Sequence, residues 1–139
     1  MAMTYPTAAR ARQARDFANL TLWTFQGWLA MFFVAAGYAK LTEPMANLET
    51  LMIWPALVGE NLVRGIGIVE LVLAVGMLVP LLSWKIGRWP LLIASVGLIG
   101  LQTVMLGVHA LNLHIGLSIV NVLLLAITIP VFLGRRAPR

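Results

Sequence analysis

Four apolar stretches, about residues 20–39, 62–82, 91–111 and 113–133, dominate the chain. A helix rises about 1.5 Å per residue, so each stretch matches the roughly 20 residues that cross a hydrocarbon core about 30 Å thick. Hydrocarbon offers backbone N–H and C=O groups no partners, and a helix satisfies them within one segment. The expected fold is therefore all-α, a membrane four-helix bundle. Composition agrees: with 60% hydrophobic and 11% charged residues, a single domain of 139 residues has no charged shell to present to water.

The basic residues read as topology signals. Arg10, Arg12 and Arg15 precede the first apolar run, Lys85 and Arg88 lie between the second and third, and Arg135, Arg136 and Arg139 follow the last. The net charge of +5 thus sits at span ends and not along a groove-tracking patch, so no nucleic-acid partner is expected. Cytoplasmic connections carry the Lys and Arg excess. That rule places both termini and the Trp84 to Pro90 loop in the cytoplasm, with Thr42 to Asn61 outside. Residues 1–19 then form a basic arm, 20–133 the membrane domain and 134–139 a basic tail. Trp23, Trp28, Trp84 and Trp89 fit an interfacial belt on the cytoplasmic side, and Trp54 is expected to anchor the opposite one. The first run also resembles the apolar core of a signal peptide ending in Val34-Ala35-Ala36-Gly37, but it is long for one and carries Gln26. In the outer loop, Thr42-Glu43-Pro44 reads as a helix start, and Met45, Leu48 and Met52 recur at helical spacing. A short amphipathic helix is expected there, lying on the surface, plugging the bundle or covering a site.

No cysteine is present, which removes thiolate nucleophiles and iron–sulfur ligation by this chain. There is no phosphate-binding loop, nucleophile elbow, dinucleotide fingerprint or His-Glu-x-x-His. His109 and His114 bracket one short turn instead of facing each other across helices, so no haem is expected. A metal held by those histidines and Glu70 is disfavoured by their difference in depth, and no metal site is assigned.

Polar groups in hydrocarbon are unfavourable, so their arrangement carries information. Ser95, Gln102, Met105 and His109 share one face of the third span, and His114, Ser118, Asn121 and Thr128 share one face of the fourth. Gly67, Glu70, Ala74 and Met77 do so in the second, and Gln26, Ala30, Phe33, Gly37 and Lys40 in the first. Four such stripes imply one shared interior. Glu70 lies about 9 Å inward from Arg64, Gln102 about 10 Å inward from His109, and Asn121 about 10 Å inward from His114. With Lys40, Arg64, His109 and His114 above that layer, a polar ligand pocket open to the outer side is expected. A carboxyl at this depth finds a cation, accepts hydrogen bonds or stays protonated. Arg64 is poorly aimed within the helix, which leaves Lys40 or a histidine from a neighbouring helix. Glu70 is then either a proton carrier or ligand anchor, or a structural group tying helices together.

The residues Gly37-Tyr38-Ala39-Lys40-Leu41 resemble the glycine-x-x-lysine-leucine at the end of the first helix in the DoxX-like family of small four-helix membrane proteins. The Pro44-containing loop and Gly67-Ile68-Val69-Glu70 followed by Gly76 resemble the same family's loop and second-helix signature, in the same order. The resemblance runs from Leu22 to the last helix. Relatives include membrane subunits of thiosulfate:quinone oxidoreductases and partners in bacterial membrane redox or detoxification complexes. It therefore implies a quinone-linked or accessory role in the bacterial cytoplasmic (inner) membrane, with quinone as the possible cofactor.

Three functions fit these observations. One is a membrane subunit that binds a quinone or lipid head through Lys40, Arg64, Glu70, Gln102, His109, His114 and Asn121. Glu70 and His109 are its candidate catalytic groups, and a redox partner protein supplies the electrons. The second is a non-catalytic scaffold or assembly factor, alone or as a homo-oligomer. The third, a small permease, lacks a matching polar path on the cytoplasmic half beyond Gln26, Ser95 and Thr128. A reporter fused after Arg139 should be active in the cytoplasm, and activity outside it would overturn the four-span topology.

Overall fold

The computed structural model describes residues 7–137, and every regular element among them is helical. In chain order these are α1 (Ala8–Thr42), α2 (Met45–Met52), a 3₁₀ turn (Trp54–Leu57) and α3 (Glu60–Leu78) with a 3₁₀ continuation (Val79–Leu81). α4 (Trp84–Leu111) and α5 (Ile115–Arg136) follow. Four of them, α1, α3 with its continuation, α4 and α5, are long and apolar enough to cross a membrane. They pack as a ring, α1 on α3, α3 on α4, α4 on α5, and α5 back on α1. Asn19 meets Arg135, and Arg88 donates to the Arg136 carbonyl at 2.7 Å. Those contacts put the starts of α1 and α4 and the end of α5 together, at what is here the terminal end. The α2 segment and the turn between α4 and α5 form the opposite, loop end.

The helices outrun the apolar stretches. α1 begins at Ala8, because Ala8, Ala9, Ala11 and Ala14, interleaved with Arg and Gln, are strong helix formers that carry the helix out through the basic arm. Residues 1–6 of that arm and 138–139 of the tail lie outside the described residues. The expected Trp84–Pro90 loop is helical, with Pro90 inside α4. The real turn is shorter because Gly87 lies flat against the Pro80 backbone, where a Cβ would come within 2.4 Å of Pro80 Cα. At the other end, Leu113 turns the chain from α4 to α5 with φ 57°, a left-handed conformation that costs a non-glycine residue about 1–2 kcal/mol.

The expected loop helix forms at Met45, and it plugs the bundle end instead of lying on the surface. Leu48 and Trp54 are buried with Val63 of α3, packed against Met45, Val58, Ile66 and Met105. Trp54 is 5% exposed, so it is not the interfacial anchor expected of it; Trp28 and Trp89, 61% and 69% exposed, do face outward. The rest of the apolar core lies nearer the terminal end, around Leu29, Phe33, Met77, Leu91, Leu98 and Val131.

α1 and α3 approach most closely at two glycines. A Cβ on Gly37 would sit 2.7 Å from the Gly67 carbonyl oxygen, and one on Gly67 would sit 2.8 Å from Lys40 Cβ. In a membrane, helices associate through such van der Waals contact, since lipid tails are as apolar as Leu. Gly37→Ala is expected to destabilise the protein by about 1–3 kcal/mol in detergent unfolding followed by circular dichroism. Gly100→Ala, where an added Cβ meets nothing within 4 Å, should change stability by under about 0.5 kcal/mol.

Candidate functional site

Each of the two close helices places a charged residue one turn from its glycine: Gly37-x-x-Lys40 on α1 and Gly67-x-x-Glu70 on α3. The stem of Lys40 lies over Gly67, and that of Glu70 lies beside Gly37, where an added Cβ would come within 3.3 Å of Glu70 Cβ. This crossing brings Lys40 Nζ to 2.7 and 3.0 Å from the two Glu70 carboxylate oxygens. The side chains are only 5% and 7% exposed. Of the partners open to Glu70 in the sequence, the cation from α1 is the one realised.

The pair borders a cavity of about 110 Å³. Gln102 and His109 of α4 and Asn121 of α5 also line it, so five of the seven expected ligand-binding residues converge here. Its remaining walls are apolar, and Met52 and Trp54 stand at its loop end. The mouth expected to open past the loop is thus roofed by the α2 segment. Asn121 donates one amide N–H to the Leu117 carbonyl, one turn back, at 2.9 Å. Gln102 donates to Thr128 Oγ1 at 3.0 Å and so ties α4 to α5.

The other two expected residues turn elsewhere. Arg64 donates to the Lys40 carbonyl and, at 2.9 Å, to the Glu43 carbonyl, capping the end of α1. It also pairs with Glu60 at 2.9 Å, in line with the one-turn spacing on α3. His114 does not line the cavity; its Nδ1 lies 3.4 Å from Nδ1 of His109, so one ring donates to the other. Among the described residues, no three His, Asp or Glu side chains converge as a metal-binding group.

A second polar cluster, at the terminal end, was not anticipated. Arg135, assigned from the sequence to the basic tail, is 1% exposed. Its Nε donates to Gln26 Oε1 and its Nη1 to Asn19 Oδ1, both at 2.7 Å. Trp23 and Trp84 bracket the guanidinium at 4.9 and 5.0 Å from their ring centroids, a cation–π arrangement. Gln26 in turn donates to the Met77 carbonyl at 3.1 Å. The signal that marks Arg135 is its place seven residues beyond Thr128, itself seven beyond Asn121.

The DoxX-like family model matches residues 24–131, which hold both glycine motifs, the residues lining the cavity and all or part of each of the four spans. The chain belongs to the DoxX-like family. No curated protein and no solved structure matches it. With its four apolar helices, this DoxX-like protein is an integral membrane protein.

A buried pair that loses one member leaves an uncompensated charge, which costs about 3–5 kcal/mol, whereas replacing both members by apolar residues is often neutral. Lys40→Met should therefore destabilise this DoxX-like protein by that amount in detergent unfolding. The double variant Lys40→Met/Glu70→Leu should recover most of the loss.

Proposed function

We propose that this DoxX-like protein binds a small amphipathic molecule, a quinone or a lipid, with its polar head at the Lys40–Glu70 pair. In this reading it serves as an accessory subunit of a redox complex in the bacterial cytoplasmic membrane, with its termini inside. The observation that carries the reading is the cavity beside the pair. A purely structural ion pair gains from being packed over, because every void forfeits dispersion contacts. Here space is kept, bounded by apolar walls and a few converging polar groups, which is the usual make-up of a small-molecule site.

The chemistry of the lining suits a head with carbonyl or hydroxyl oxygens. Lys40 donates hydrogen bonds, Glu70 accepts them, and His109 does either. Asn121 keeps its Oδ1 as an acceptor and its second amide N–H as a donor after the first is used. For a quinone, reduction at a carbonyl oxygen requires a proton beside it, and Glu70 and His109 are the groups able to exchange one. Electrons come from a partner protein.

One observation favours a scaffold instead: the pair satisfies itself while joining α1 to α3 at the glycine crossing. The two readings separate by extraction. Mass spectrometry of organic extracts from the purified protein should recover a quinone or lipid in near-stoichiometric amount. The double variant Lys40→Met/Glu70→Leu should retain about tenfold less, equivalent to some 1.4 kcal/mol of binding. Equal retention by the folded double variant, or an empty wild-type extract, favours the scaffold.

A further inference from the structure

The inner stripe of α5 runs Leu117, Asn121, Leu124, Thr128, Val131, Arg135, at steps of three and four. A straight helix packed along its whole length buries such a stripe uniformly. Here Thr128, Val131 and Arg135 are the buried residues of α5, all in its terminal half. Leu117, Asn121 and Leu124 on the same stripe are only half-buried, although all three face the cavity. α1 meets α5 near the terminal end, where Asn19, Leu22 and Gln26 lie against Gly134 and Arg135. Among the residues lining the cavity, the two exposed ones are Phe32 of α1 and Val120 of α5, at 40% and 38%.

We propose that the cavity opens sideways to the bilayer between the loop-end halves of α1 and α5. Its occupant enters there and leaves its hydrocarbon chain in that gap, against Phe32, Leu117, Val120 and Leu124. This rests on the binding reading above and specifies it: the ligand is a lipid-dissolved amphiphile with a compact head and an apolar tail. Volume supports the assignment. The space of about 110 Å³ is smaller than the roughly 150 Å³ engineered cavity that takes a single benzene, so a head together with a long apolar tail cannot be enclosed whole and the tail must leave through an open side. The roof is closed by Trp54 and Met52, with Leu48 buried behind them. A second apolar groove lies between α3 and α4 at Leu62, Ile66, Val104 and Val108. Trp54 and Met105 line both spaces, so a tail there would have to pass their wall. The α1–α5 gap needs no such passage.

The test uses the full chain in phosphatidylethanolamine vesicles and a benzoquinone whose decyl tail ends in a diazirine. Saturable photoadducts are expected on Phe32 and on residues 117–124. Val120→Trp, which fills the gap, should slow uptake of this probe about tenfold, and unchanged uptake and labelling would overturn the gap. Adducts confined to residues 62–66 and 104–108 would overturn the lateral gap while leaving the head site intact. No saturable adduct on protein whose extract holds a quinone or lipid would also overturn the gap alone, whereas an empty extract removes the binding reading itself. The chain has no cysteine, so Val120→Cys introduces a single thiol. Its conversion to a disulfide-linked dimer under mild oxidation would mean that a second copy fills the gap, and would overturn the proposal.

Discussion

The Lys40–Glu70 ion pair is the constraint on which the rest of the molecule depends. Either charge alone in hydrocarbon is costly, on insertion scales about 2.5–3.5 kcal/mol for a Lys or Asp at mid-helix. The pair is formed only when α1 and α3 meet in one register, and the glycines one turn from each charge let the backbones come close enough to bring it to 2.7 Å. Register between the two helices then fixes their ends. Arg64 reaches the last carbonyls of α1 from α3 and so sets where the α2 segment departs. The roof over the cavity is a consequence of the pair as much as the cavity is.

The two ends of the bundle meet the same desolvation problem differently. At the terminal end Arg135 is 1% exposed and enclosed by Gln26, Asn19 and two indole faces. A delocalised guanidinium tolerates this better than an ammonium, because it is weakly hydrated and stacks on rings. At the loop end the charges neutralise each other and the space beside them is left. Polar residues therefore do not by themselves identify a site. Gln102 contributes to both kinds of environment, lining the cavity while bonding Thr128 on the packed side.

The four spans, the helix starting near Pro44 and the polar stripes were legible because each follows from local spacing and hydrophobicity. The stripes also held the five of the seven expected residues that line the cavity. Glu70's partner was less legible: one stripe names candidates, and the choice of Lys40 depends on how close two backbones come, which the glycines decide. Arg64 was placed by depth alone, and depth says nothing of azimuth, so it caps α1 instead. His114 was placed on the α5 stripe, but it stands in the turn just ahead of that helix, where helical spacing does not apply, and it pairs with His109. Arg135 was hidden by its neighbours in sequence, since a basic residue beside Arg136 at a span end looks like a topology signal. Its seven-residue spacing from Thr128 and Asn121 is the mark of a buried position, and that mark outweighs the local charge. Trp54 was misread for the same reason, as an aromatic at a boundary whose burial is set by a loop folding back.

Close contact on one side of the ring creates room on the other. Helices in a bundle sit about 8–10 Å apart at ordinary side chains, and paired glycines draw them nearer. At the depth of Gly37 and Gly67, α1 is pulled toward α3 and thereby away from α5. α5 does not follow, because Thr128 holds it to Gln102 on one side of this depth and the His109–His114 contact holds it on the other. Between those two ties lie residues 115–127, none of them fully buried. The same glycine crossing that makes the ion pair possible thus leaves the volume beside it, and the chain's two glycine motifs are at once a packing device and the origin of the cavity.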